Sequence, residues 1–121
     1  MAEVTELLAV PHPVVVGFLR RGARGGDRRA SALSAVLSSF CERHEYALDG
    51  VVTESPLAPD EFDRLLAAIR ASGSPVYGLV VPSAAHLGAA PVARARSTQI
   101  ADARLRLLVV RPQPQQDRSL R

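Results

Sequence analysis

Four mostly apolar stretches divide the chain, at positions 14–19, 50–54, 76–81 and 105–110. They are rich in valine and leucine and show no regular alternation of apolar with polar residues. Strands that are buried on both faces of a parallel sheet have this pattern, because helices cover both of their faces. The pattern therefore predicts four strands, and residues 45–48 lead into the second of them.

Between these stretches the apolar positions recur at helical spacing. Residues 29–43 and the segment that Asp60 opens carry clear apolar stripes, and residues 91–103 carry a weak one. The stripe residues are Leu33, Val36, Leu37, Phe40, Phe62, Leu65, Leu66, Ile69, Val92 and Ile100. Alternating strands and helices predict an α/β fold, with three α/β/α layers around a mainly parallel, four-stranded sheet.

One domain is expected from a chain of 121 residues. We assign it to residues 13–111. Residues 1–12 form an N-terminal leader in which Pro11 stops any regular element before the first strand. Residues 112–121 form a polar, proline-rich tail that we expect to be disordered.

Charge and cysteine content narrow the class of protein. The net charge is +3, and all fifteen basic residues are arginine. This charge is too small to indicate nucleic-acid binding by itself. The single cysteine, Cys41, excludes a disulfide framework and a cysteine-based metal site, and it is expected as a small buried apolar residue. No apolar stretch reaches membrane-spanning length and the N-terminus is acidic, so we predict a cytoplasmic protein without membrane contact.

The turn after the first strand is the first candidate site, because ligands bind at the carboxyl ends of strands in open α/β sheets. It contains Arg20, Arg21, Gly22 and Arg24. A phosphate-binding loop of the P-loop type is excluded because the chain has no lysine, and the dinucleotide-binding glycine spacing is absent. Two interpretations remain open: a flexible turn, or an anion site completed by a helix N-terminus.

Three further residues follow the other strands and are candidates for a ligand site. Glu54 ends the second strand, and Ser83 and His86 lie in the loop after the third. One hypothesis is an enzyme that uses these three side chains. The histidines do not have metal-ligand spacing, so the sequence predicts neither a metal nor another cofactor.

Five motifs in order give the chain a family resemblance. They are Phe18-Leu19-Arg20-Arg21-Gly22, His44-Glu45-Tyr46-Ala47-Leu48, Glu54, Phe62-Asp63-Arg64-Leu65-Leu66 and Ala85-His86-Leu87-Gly88-Ala89. Over residues 14–111 the chain resembles the N-terminal catalytic domain of serine recombinases, the resolvase and invertase group. The resemblance implies a sheet with strand order 2-1-3-4.

Departures from the family motifs imply that the activity is lost. The family's nucleophilic serine corresponds to Gly22. The family's Asp-Arg-Leu-Gly-Arg motif has lost its acid at Ala85 and its arginines at His86 and Ala89. Phosphoryl transfer by this route needs a nucleophile and several cations to balance the transition-state charge. The resemblance thus implies no catalytic residue in this chain.

The leading hypothesis from the sequence is a catalytically inactive, resolvase-like domain that acts by binding or regulation. Alternatives are a small α/β enzyme, or an anion- or nucleotide-binding protein that uses the strand-end loops. A protein partner or a homodimer is one expected form of interaction. Contact with the DNA backbone is another, through Arg20, Arg21, Arg24, Arg28 and Arg29.

Overall fold

A computed structural model describes residues 12–21, 26–58, 60–73 and 75–111 of the chain. The predicted leader and tail, apart from His12, lie outside these residues, as do Gly22 and Arg24. Within them the elements are β1 (Val14–Arg20), α1 (Gly26–Arg43), β2 (Ala47–Glu54), α2 (Glu61–Ser72), β3 (Gly78–Val81), a 3₁₀ helix (Ala84–Leu87), α3 (Ala90–Asp102) and β4 (Arg106–Val109).

The four strands form one sheet in the order β2-β1-β3-β4, and every neighbouring pair is parallel. The predicted α/β class, the parallel sheet and the strand order are therefore confirmed. The first strand is central, which agrees with its complete burial between residues 15 and 19. Parallel pairing also brings the carboxyl ends of β1 and β2 together, with Arg20 opposite Glu54.

Helices cover both faces of the sheet and create two separate cores. Helix α1 packs Leu37 and Cys41 against Val15, Leu19 and Val80 on one face. Helices α2 and α3 cover the other face with a larger cluster, which contains Val16, Phe18, Phe62, Leu65, Leu66, Leu79, Val81, Leu87, Ile100 and Leu105. Cys41 is buried as predicted, and this burial raises the pKa of its thiol.

The element boundaries differ from the prediction by a few residues. The third and fourth strands are shorter than expected, and β2 begins earlier, at Ala47. The pairing of β2 with β1 shifts register between Leu48 and Val51, so β2 carries one extra residue there. This bulge contains Gly50, whose φ of 148° is one that side chains rarely adopt.

The apolar stripe predicted for the third helix is partly wrong. Ile100 is buried, but Val92 is 45% exposed. Val92 lies in the first turn of α3, where its side chain is next to Gly88. No helix among the described residues is both long enough and apolar enough to cross a membrane.

Candidate functional site

The carboxyl edge of the sheet brings together side chains from four separate elements. Arg20 ends β1, Glu54 ends β2, His86 lies in the 3₁₀ helix after β3, and Arg96 projects from α3. Contacts of 4.0 Å or less link each of them to at least one other group in the set. We call these four residues the carboxyl-edge cluster.

Glu54 is the buried acid of the cluster, with only 3% of its surface exposed. Both of its carboxylate oxygens are paired with one guanidinium: Arg96 Nη1 donates to Oε1 at 2.9 Å and Nη2 donates to Oε2 at 2.7 Å. Arg96 Nη1 also donates to the carbonyl oxygen of Leu87 at 3.3 Å. This two-point, charge-assisted geometry compensates for the removal of both charges from water.

Two aromatic rings hold the guanidinium of Arg96 in place. Its central carbon lies 4.8 Å from the ring centroid of Phe62 and 5.8 Å from that of Phe18. The two rings meet edge to face, with centroids 5.4 Å apart. Cation–π attraction and hydrogen bonding therefore act on the same side chain, which is fixed between α3 and the sheet.

Arg96 is the member of the cluster that the sequence analysis missed. A signal for it was present, because Val92, Arg96 and Ile100 are four residues apart and so share one face of α3. An arginine in the middle of an apolar stripe indicates a buried partner of opposite charge. Glu54, an acid that ends a buried strand, was the candidate for that partner in the sequence.

Arg20 borders the pair but is far more accessible. Its side chain is 52% exposed, and its Nε lies 4.0 Å from Glu54 Oε1. Its backbone N–H donates to the Nδ1 atom of His86 at 2.9 Å. The backbone N–H of Arg21 donates to the carbonyl oxygen of Glu54 at 2.8 Å, which ties the ends of β1 and β2 together.

His86 is half-buried, and its surroundings favour the neutral form of its imidazole by lowering its pKa. Burial lowers the pKa of its imidazole from the ordinary value of 6.5, and the nearby charges of Arg29 and Arg20 lower it further. The hydrogen bond from the Arg20 N–H has the same consequence, since Nδ1 can accept it only while unprotonated. The imidazole proton therefore lies on Nε2.

The lowered pKa of His86 makes the stability of the fold depend on pH. The folded state binds this proton less readily than the unfolded state, so stability falls as pH drops below about 6.5 and through the folded pKa. We expect His86→Asn, which keeps an acceptor for the Arg20 N–H, to flatten this dependence. Urea denaturation at about pH 7.5 and pH 5.5, spanning the ordinary histidine value, measures it. His12→Asn, an exposed position before β1, is the matched control; an equal loss of stability in wild type and His86→Asn contradicts the assignment.

Ser83 precedes the 3₁₀ helix, and its carbonyl oxygen accepts the backbone N–H of His86 at 3.1 Å. Within the described part of the chain, no hydrogen bond joins the Ser83 hydroxyl to the imidazole, and Glu54 is committed to Arg96. The arrangement thus lacks the base-to-nucleophile and acid-to-base contacts that activate a serine. No group of three or more His, Cys, Asp or Glu side chains among the described residues is placed to hold a metal ion.

The remaining predicted site residues fall into two sets. Arg21, Arg28 and Arg29 are exposed; Arg21 directly follows Arg20, and the charge of Arg29 acts on the His86 imidazole. Gly22 and Arg24 lie outside the described residues. The described part of the edge therefore combines one neutralised acid with accessible arginines, a charge pattern suited to an anion.

No protein-family model matches the chain, and no curated protein matches it either. The observed strand order is the one that the resolvase-like resemblance implies, but other doubly wound α/β proteins share it. The resemblance to serine recombinases therefore stays a prediction based on the five motifs.

Proposed function

We propose that the chain is a noncatalytic, resolvase-like binding module that takes DNA phosphates at the carboxyl edge of its sheet. The observation that supports this most is the pairing of both Glu54 oxygens with Arg96. An unpaired carboxylate at this edge would repel a phosphate. With Glu54 neutralised, the arginines around it dominate the local charge.

These arginines are concentrated in a short segment. Residues 20–29 contain five arginines and one aspartate. Arg20, Arg21, Arg28 and Arg29 are exposed, and the charges of Arg20 and Arg29 both act on the His86 imidazole. Exposed guanidinium groups around a strand end can contact phosphates without reading base sequence.

Three positions that could take part in phosphoryl transfer, 22, 86 and 96, favour binding without catalysis. Glycine stands at position 22, where the resemblance places a nucleophilic serine. The Arg96 side chain is only 12% exposed and its guanidinium is engaged by Glu54 and two aromatic rings, so it is poorly placed to contact a transferring phosphoryl group. The backbone N–H of Arg20 donates to Nδ1 of His86, so this ring nitrogen is occupied as a hydrogen-bond acceptor.

Salt-dependent DNA binding tests the proposal. We expect a fluorescently labelled duplex to bind weakly and without sequence preference, with log K falling against log salt at a slope of about −3 to −4 if four arginines contact phosphates. Arg20→Gln and Arg29→Gln are each expected to reduce this slope by about 1. Fluorescence anisotropy over a range of salt concentrations measures it.

Arg70→Gln is the matched control, since Arg70 is exposed in the last turn of α2, away from the carboxyl-edge cluster. Competition by inorganic pyrophosphate distinguishes a site for the phosphates of the DNA backbone from a site for small phosphate anions. If pyrophosphate displaces the duplex at equal affinity, the site is one for small phosphate anions. The proposal is overturned if duplex affinity is independent of salt, or if the Arg70 variant loses as much affinity as the Arg20 variant.

A further inference from the structure

Strand β4 forms one edge of the sheet, since among the described residues it pairs only with β3. Its apolar segment, residues 107–110, contains no charged residue, proline or bulge. The other edge strand, β2, has the bulge at Gly50 and the exposed Asp49, two features that discourage pairing with another chain. The sheet is therefore open to a further strand at β4 and is protected at β2.

The backbone of β4 presents two residues to a further strand. The N–H groups of Arg106 and Val110 donate to carbonyl oxygens on the β3 side, each at 3.0 Å. Backbone groups of successive strand residues point in opposite directions, so those of Leu107 and Val109 point away from β3. A row of outward N–H and C=O groups is a template for pairing with a strand of another chain.

The side chains of this segment are apolar on both faces of the sheet. Leu107 and Val109 pack partly against the larger core, and Leu108 and Val110 pack partly against the α1 side. All four are half-buried, so each keeps some apolar surface in contact with water. A further strand beside β4 would cover this surface on both faces, which favours pairing.

A second copy of the chain fits this edge about a two-fold axis at Leu108. Antiparallel pairing there sets Leu107 opposite Val109 of the second copy, and the reverse, so both outward residues exchange both of their hydrogen bonds. Registers centred on Leu107 or Val109 would set the other outward residue opposite Leu105 or Arg111. The N–H groups of Leu105 and Arg111 already donate within the chain, so those registers satisfy fewer outward groups.

Charge does not oppose the register centred on Leu108. Arg106 then lies opposite Val110 of the second copy, and the two copies of Arg106 are four residues apart along the strands. At about 3.4 Å per residue their separation is about 14 Å. This exceeds the Debye length of about 8 Å at physiological ionic strength, so their repulsion is largely screened.

We propose that the chain forms a symmetric dimer in which β4 pairs with β4 of a second copy, giving one continuous sheet with four strands from each. Because β4 has only four residues, the dimer is expected to be weak and in exchange with the monomer. The antiparallel pairing points the two carboxyl edges in opposite directions, so one dimer would bind two separate duplexes. That consequence rests on the proposed function, whereas the dimer itself does not.

Disulfide trapping tests the register. In the proposed pairing the two copies of position 108 form a non-hydrogen-bonded pair with Cα atoms about 4.5 Å apart, a separation that a disulfide spans. We expect Leu108→Cys to give a disulfide-linked dimer on mild oxidation, seen on a non-reducing gel. Val110→Cys, half-buried on the same face, is the matched control, because its two copies are about 14 Å apart and cannot be bridged. Wild type, with its buried Cys41, gives the background.

Sedimentation equilibrium tests dimerisation itself. Wild type is expected to show a concentration-dependent equilibrium between monomer and dimer. Val109→Pro removes an outward N–H and no bond to β3, so it should weaken dimerisation by about tenfold or more while the circular dichroism spectrum is retained. The Arg20→Gln/Arg29→Gln variant, which lacks two arginines of the phosphate site, is expected to dimerise as wild type does. Failure of the dimer and failure of DNA binding are therefore distinguishable.

Three results would overturn the inference. The first is a wild-type chain that stays monomeric up to about 1 mM, because a weaker dimer would have a Kd in the millimolar range or above. The second is cross-linking of Val110→Cys as fast as that of Leu108→Cys, which would exclude the register. The third is a folded Val109→Pro chain that dimerises as strongly as wild type, because the interface would then lie elsewhere on the molecule.

Discussion

Replacing Arg96 with methionine is expected to destabilise the fold by about 3–5 kcal/mol. Methionine roughly preserves the volume between Phe18 and Phe62, but it leaves the Glu54 carboxylate buried without its partner. Both side chains are strongly shielded from water, at 12% and 4% exposed, so solvent cannot replace the lost pairing. Urea denaturation followed by circular dichroism measures the loss, which corresponds to about 10–20 °C in Tm for a domain of this size.

The stability of the double variant Glu54→Leu/Arg96→Met should be compared with that of Arg96→Met alone. Removing both charges eliminates the uncompensated carboxylate, so most of the lost stability should return. Arg94→Met, at an exposed position on the same helix, is the control and should change stability by less than about 0.5 kcal/mol. A loss below about 1 kcal/mol for Arg96→Met would mean that the pair is accessible to water and does not organise the edge.

Replacing Phe62 with alanine is expected to cost about 3–5 kcal/mol as well, for a different reason. The ring is fully buried in the larger core and makes the edge-to-face contact with Phe18. It also lies under the Arg96 guanidinium at 4.8 Å. The substitution removes apolar burial, opens a cavity and leaves the buried ion pair without the nearer of its two supporting rings.

Phe62→Leu separates these contributions. It retains most of the apolar volume and loses only the ring, so we expect a clearly smaller loss of stability. In a double-mutant cycle with Arg96→Met, the two effects should not add, and the coupling should be about 0.5–2 kcal/mol, the range of a cation–π contact. Strict additivity would show that the ring does not support the guanidinium.

The fold was predictable from the sequence because its signals are local and repeated. The stretches at 14–19 and 76–81 are apolar without alternation, which is typical of strands in the middle of a parallel sheet. The segments between the strands carry apolar residues at helical spacing, which is typical of the helices that cover such a sheet. The exact strand ends could not be predicted, since they depend on where a neighbouring strand is present to pair. The bulge at Gly50 could not be predicted either, because it exists only in the pairing of β2 with β1.

The candidate site was predictable in part for the same reason. Arg20, Glu54 and His86 follow strands, and a parallel sheet brings such positions to one edge. Arg96 comes from the middle of a helix, and only the packing of α3 on the sheet places it against Glu54. Its role therefore depends on tertiary structure, although the arginine within the apolar stripe was a usable signal.

The Glu54–Arg96 pair gives the proposed function a physical basis. It pairs both oxygens of a buried acid with the guanidinium of Arg96, whereas the Nε of the exposed Arg20 lies 4.0 Å from the same carboxylate. It also joins α3 to the end of β2 at the place where a ligand would bind. Because Glu54 is buried and both of its oxygens are paired, it is suited to holding the carboxyl edge of the sheet in one geometry and is poorly suited to reacting with a substrate.

Chemical-shift mapping with pyrophosphate tests the central claim, that the carboxyl edge is a cationic binding site, most directly. In ¹⁵N-labelled protein we predict saturable shifts of the Arg20 and Arg21 amides and of the His86 imidazole nitrogens, and the loss of these shifts in an Arg20→Gln/Arg29→Gln variant. Shifts that are absent from these groups at saturating pyrophosphate, or that are confined to the amino edge around Arg104 and Arg106, would contradict the claim.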